Sequence, residues 1–150
     1  MPDSLIQRLA RDADPSDLDA AAVALVRSGR GPSFREFLIA PTAEYGHWSS
    51  PRFDAYRLSI QAGYGQYSAP RRGGLTASEY TEWEVGIVGT AGLIYVIDSP
   101  EFQGMPCADH WEGEGAVGPY VPSEGVQSIF DWMTLNFGRP QHPSAFALED

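Results

Sequence analysis

The run Asp54-Ala55-Tyr56-Arg57-Leu58-Ser59-Ile60-Gln61-Ala62-Gly63-Tyr64 changes side-chain character at every step. Tyr56, Leu58, Ile60, Ala62 and Tyr64 alternate with Ala55, Arg57, Ser59, Gln61 and Gly63. A period of two sends one set toward a core and the other toward water, so the run predicts a half-buried strand. A second alternation follows, Trp83, Val85 and Ile87 against Glu82, Glu84 and Gly86. Leu93 to Ile97 reads as a third strand, and Gly89-Thr90-Ala91-Gly92 between the two reads as a hairpin loop. Residues 53–98 are therefore expected to hold an antiparallel sheet of about three to five strands.

On the N-terminal side the period lengthens to that of a helix. Ser4 is a candidate cap for a short helix with Leu5, Ile6 and Leu9 on one side. A second helix has fuller punctuation: Asp14 as N-cap, Pro15 where a missing N–H costs nothing, and Asp17 at the positive end of the dipole. Leu18, Ala21, Ala22, Leu25 and Val26 make its apolar face, and Gly29 stands at C′. Ser33 to Ala40 suits either a helical turn or a strand. The helical part thus spans 4–40, with a loop over Pro41–Pro51.

On the C-terminal side, residues 99–120 are rich in glycine and proline and are expected to be irregular, functional or mobile. A helix over 122–137 then starts at Pro122-Ser123-Glu124, carries Val126, Ile129, Phe130, Met133 and Phe137 as one stripe, and stops at Gly138 and Pro140. Its stripe is expected to cover the sheet, and the last ten residues of the tail 138–150 to fray. Helices followed by strands disfavour a parallel βαβ sheet. The expectation is a single α+β domain over 1–150: N-terminal helices, a central antiparallel sheet and a C-terminal amphipathic helix packed on it.

Composition agrees with one such domain, since 43% hydrophobic and 12% aromatic residues in 150 supply a core. Cys107 is the single cysteine, so no intramolecular disulfide forms, which suits a reducing compartment. The N-terminal residues show no basic-then-apolar signal pattern and no apolar run is long enough to span a bilayer, so a cytoplasmic location is expected. All ten basic residues are arginine. Charge is uneven along the chain: Glu101, Asp109, Glu112, Glu114, Glu124, Asp131, Glu149 and Asp150 face one arginine, Arg139, in the last third of a chain of net charge −10. Such a field attracts cationic partners and repels nucleic acid and anionic membranes.

Few motifs carry chemistry. Cys107-Ala108-Asp109-His110 sets a thiol, an acid and an imidazole together, enough for a small enzyme with Glu112 or Glu114, or for half a zinc site completed by His47 and His142. The C-x-x-H spacing stands alone, without the second paired motif of a structural zinc site, so neither a metal nor a cofactor is expected. Gly63-Tyr64-Gly65-Gln66-Tyr67 lacks the third glycine and the lysine of a phosphate loop. Arg71 and Arg72 read as a solvated turn. Without a basic stripe interleaved with aromatics, direct nucleic-acid binding is disfavoured.

Carboxylates near aromatics point instead to protein binding. Glu82 and Glu84 share one strand face, Glu79 precedes them, and Asp109, Glu112 and Glu114 surround Trp111, with Tyr67 in a nearby loop. These eight residues are the expected partner surface, with Trp111 as an exposed anchor. Small size, acidity and the lack of a catalytic motif parallel those of non-catalytic inhibitors of basic, nucleic-acid-handling proteins: antitoxins, immunity proteins and anti-defence proteins such as anti-CRISPRs. A ligand-binding or scaffold domain is the further alternative.

Overall fold

In the computed structural model the described residues are 15–37, 47–63, 67–70, 75, 77–112 and 115–142. The alternating run forms β3 (Tyr56–Ala62), with Leu58, Ile60 and Ala62 buried. Asp54, at φ 54°, makes the tight turn that joins it to β2 (Arg52–Phe53); aspartate is among the residues that tolerate the left-handed region. β3 pairs antiparallel with β4 (Glu82–Gly89), Leu58 opposite Ile87 and Ile60 opposite Val85, so the apolar sets of both strands share one face.

Among the described residues the sheet has six strands laid in four lanes. β1 (His47–Ser49) and β2 run beside different halves of β3, while β5 (Gly92–Leu93) and β6 (Val117–Pro122) run beside different parts of β4. All pairings are antiparallel, and the fold is α+β as the sequence leads one to expect.

Three strand assignments change. Leu93–Ile97 does not continue as a strand: only Gly92–Leu93 pairs, and Val96–Asp98 is a 3₁₀ turn. The cause is occupancy, because β6 takes the same edge of β4 from Glu82 to Gly86 and leaves the apolar run nothing to pair with. β6 itself arises inside and just beyond 99–120, where glycine and proline argue for irregular chain. Pro119 is accommodated at a bulge, the place where a missing N–H costs least. A short strand, β1, also lies within the expected loop 41–51.

Two α-helices are described: α1 (Pro15–Arg27) and α2 (Ser123–Phe137). The candidate helix at Ser4 and the acceptor Asp14 lie outside the described residues. Gly29 ends α1 at φ 75°, its N–H bonded to Val26 O (3.0 Å) and that of Arg30 to Leu25 O (2.9 Å), the paired bonds of a Schellman stop. α2 buries Val126, Ile129, Phe130 and Met133 against the sheet. Rings interlock beneath it, Phe53 on Phe130 at 5.2 Å and Phe34 on Trp83 at 5.3 Å, both edge to face.

Polar bonds fix the helices in place. Gln127 accepts from Phe34 N–H (2.9 Å) and donates to Pro32 O (3.0 Å) and Asp131 Oδ1 (3.0 Å), pinning the α1–β1 connection onto α2. Asp19 of α1 accepts from the backbone N–H (2.9 Å) and guanidinium (3.3 Å) of Arg139 just past the end of α2. The chain past α2 is held as far as Gln141, which exchanges backbone bonds with Arg52.

The connection from β5 to β6 is not an open loop. Its 3₁₀ turns Pro100–Phe102 and Ala108–Trp111 bury Phe102 and Trp111 in the main core, Met105 between them is buried too, and Asp98, Glu101, Asp109 and Glu112 are exposed. No helix among the described residues is long and apolar enough to cross a membrane.

Candidate binding face

α2 packs on one side of the sheet, and α1 packs on α2. The other side is built by the residues that alternate out of the core: Arg57, Ser59 and Gln61 on β3, and Glu82, Glu84, Gly86 and Val88 on β4. Arg57 pairs with Val88, Ser59 with Gly86 and Gln61 with Glu84, so this outer face grades along the strands. At the Gly86 end it is apolar: Leu93 and Val117 close over Gly86, whose absent Cβ would sit 3.3 Å from Leu93 Cδ2 and 3.6 Å from Val117 Cγ1. At the Glu82 end it is acidic and aromatic.

The acidic end is organised by a bulge. Trp83 pairs with Val121 but Val85 with Gly118, so two residues of β6, Pro119 and Tyr120, stand opposite Glu84 alone, one more than a regular ladder holds. Tyr120 adopts φ 54°, an unfavourable conformation for a bulky side chain, and its ring is 40% exposed. Its N–H donates to Tyr67 O (2.9 Å), and the Tyr67 N–H in turn donates to Glu84 Oε1 (3.4 Å). The Tyr67 and Tyr120 rings lie 6.1 Å apart, inclined at 56°. Two exposed tyrosines are thus fixed beside the carboxylate of Glu84, with Glu82 on the same face of the strand.

Of the residues expected at a partner surface, Tyr67, Glu82 and Glu84 come together here. Glu79 is exposed in a 3₁₀ turn just before β4. Asp109 and Glu112 are exposed in the turn that packs on β6, which is tied to the bulge where His110 Nδ1–H donates to Pro119 O (3.0 Å). Glu114 lies outside the described residues.

Trp111 is a correction. It is 0% exposed, and its ring lies so close to β6 that a Cβ on Gly118 would meet it at 2.7 Å. An indole wedged under a glycine is a core residue, not an anchor on the surface. The exposed ring beside carboxylates is Tyr120, which the sequence places in an unpatterned Gly-Pro-Tyr stretch with no periodicity to single it out.

The Cys107 loop is not arranged as an activated nucleophile. Burial, then the charges of Asp109 and Glu124, push the Cys107 thiol above its ordinary pKa, which favours the unreactive protonated form. Its sulfur sits against Gly125, 2.8 Å from where a Cβ would stand, and His110 spends Nδ1 on the Pro119 carbonyl. Among the described residues no group of three or more His, Cys, Asp or Glu side chains is placed to hold a metal ion. Comparisons with protein-family models, with curated proteins and with solved structures give no match to this chain.

Proposed function

We propose that this chain is a non-catalytic binding module that engages a basic protein through the outer face of its sheet. The observation that carries this reading is the joint placement of Glu82, Glu84, Tyr67 and Tyr120 away from the face of the sheet that α2 covers. Among the described residues, Glu82 and Glu84 make no ion pair with an arginine, so their charge is directed outward. Net charge of −10 speeds encounter with a cation-rich surface, and the adjoining tyrosines, with Leu93 and Val117 along the face, supply apolar burial that slows release.

Carboxylates displayed on a rigid sheet stand where phosphates stand on a nucleic acid, so a bound module of this kind inhibits a nucleic-acid-handling protein by occupancy. Antitoxins, immunity proteins and anti-defence proteins such as anti-CRISPRs work in this manner, in the cytoplasm, and this is the class in which we place the chain. The test is capture by the immobilised protein from the cells that make it, at low and high salt, followed by competition with nucleic acid. The reading expects a basic protein that is retained at low salt, released as screening rises, and unable to hold nucleic acid while bound. A captured protein that keeps its nucleic-acid binding in the complex contradicts it.

A further inference from the structure

We infer that the outer face takes an amphipathic basic helix of the partner, its apolar side chains on Leu93, Tyr95 and Val117 and its cations about two turns further along, at Glu82 and Glu84. The inference rests on the function proposed above and names the element of the partner that the face fits. Past β5 the chain keeps a period of two although it no longer pairs: Ile94 and Val96 turn to the core, while Leu93 and Tyr95 stay 48% and 55% exposed. Leu93 stands opposite Val88 and closes over Gly86 together with Val117. Tyr95, between the two inward residues, lays its ring against Gly115, 3.2 Å from where a Cβ would stand and two residues before β6. Three apolar side chains that the core does not use thus gather at one end of the face.

Charge gives the face a direction. β4, β5 and β6 belong to a stretch, residues 73–138, without a lysine or arginine. The ladder does place Arg52 opposite Arg57 and Arg57 opposite Val88, so two cations share the row at the apolar end. Glu82 and Glu84 lie at the other end, four residues of β4 away, or about 13 Å. The face therefore repels a partner's cation from the apolar end and draws it to the carboxylates. It offers side chains, not free backbone groups, so an element lying on it must bond its own backbone, as a helix does and a lone strand does not. Residues seven or eight apart on a helix share a side and stand about 10–12 Å apart, and a long arginine side chain closes the remaining gap.

The test titrates the full chain with two synthetic sixteen-residue helices built on alanine and glutamine, each with leucines at its second and sixth positions. The matched helix carries arginines at its ninth and thirteenth positions, on the leucine side. The displaced helix carries them at its eleventh and fifteenth, on the opposite side, with the same composition and charge. The matched helix is expected to bind about tenfold more tightly, the value of a hydrogen bond to a charged group, and to shift the amides of Glu84, Gly86, Leu93 and Tyr95 in NMR spectra. Tyr95→Ser, a change at an exposed ring, and Glu82→Gln/Glu84→Gln are each expected to weaken the matched helix by about tenfold.

Equal affinity of the two helices overturns the inference, as does failure of the matched helix to bind at millimolar concentration, or amide shifts that map to α1 and the end of α2. The comparison of the two helices uses the parent chain, so it decides the matter even where a substitution unfolds the protein. The two readings fail separately. A basic partner captured equally well by Tyr95→Ser leaves the proposed function standing and removes the helix-docking face; preference for the matched helix without any basic partner does the reverse.

Discussion

Replacing Gly118 by alanine asks whether Trp111 belongs to the core. The new Cβ would lie 2.7 Å from Cζ3 and 2.8 Å from Cε3 and Cη2 of the indole. Carbon atoms in contact settle at about 3.5–4.0 Å, so the ring must retreat by roughly 1 Å from a site where nothing is exposed to receive it. Overpacking of this kind costs about 1–3 kcal/mol. Alanine also restricts the unfolded chain, which returns about 0.4–1 kcal/mol at a position whose backbone angle any residue can adopt. The net expectation is a loss of about 1–2 kcal/mol, or a fall in Tm of roughly 2–8 °C for a chain of this length. Urea unfolding followed by far-UV circular dichroism measures it. In a Trp111→Leu background the smaller side chain leaves room, and the same Gly118→Ala change is expected to cost almost nothing, a coupling of about 1–2 kcal/mol between the two sites. Equal cost in both backgrounds, or no cost in either, refutes the placement of Trp111 under β6.

Three other outcomes follow from the same structure. Burial raises the Asp131 carboxyl pKa above its ordinary 3.8, against a lowering contribution from the Gln127 amide. An acid with a raised folded-state pKa adds stability below the unfolded value and loses it as pH rises through the folded one, so Asp131→Asn is expected to stabilise the protein at neutral pH and to make no gain below the unfolded pKa, read as the difference between two pH-stability curves. Gln127→Ala strands the Phe34 N–H and the Pro32 carbonyl and is expected to cost about 1–3 kcal/mol in the same urea assay, whereas an exposed change such as Ser128→Ala stays within about 0.5 kcal/mol. Cys107 is expected to react with a disulfide reagent more slowly at neutral pH than an unstructured cysteine, with its rate rising only at higher pH; rapid labelling of the folded chain would show an activated thiolate instead.

Strict alternation in β3 and β4, the stripe of α2 and the stop at Gly29 were legible because each is a local pattern with a local cause. Leu93–Ile97 shows the opposite case. Its residues suit a strand, but whether they pair depends on β6 having claimed the edge of β4, a contact between segments far apart in sequence. Val117–Pro122 was hidden for a related reason: two prolines and a glycine argue against a strand until a bulge and a neighbouring indole give each of them a place. The candidate site divides the same way. Glu82 and Glu84 follow from period two, while the pairing of Tyr67 with Tyr120 needs a positive φ and a bulge that no one-dimensional pattern records. Trp111 was misplaced because a glycine-rich neighbourhood reads as open loop, when Gly118 is the floor on which the ring lies.

Net charge alone makes any cation a weak ligand for this chain, so the account stands on where the charge acts. The most direct measurement compares two variants that each remove two negative charges, Glu82→Gln/Glu84→Gln on the outer face and Asp98→Asn/Glu101→Gln in the turns of the β5–β6 connection. Affinity for the captured basic partner is measured by calorimetry at one ionic strength. The account predicts that the outer-face pair loses at least about tenfold while the turn pair stays within about twofold of the parent. Equal losses in the two variants would mean that the partner senses total charge, and the outer face would have no special part in binding.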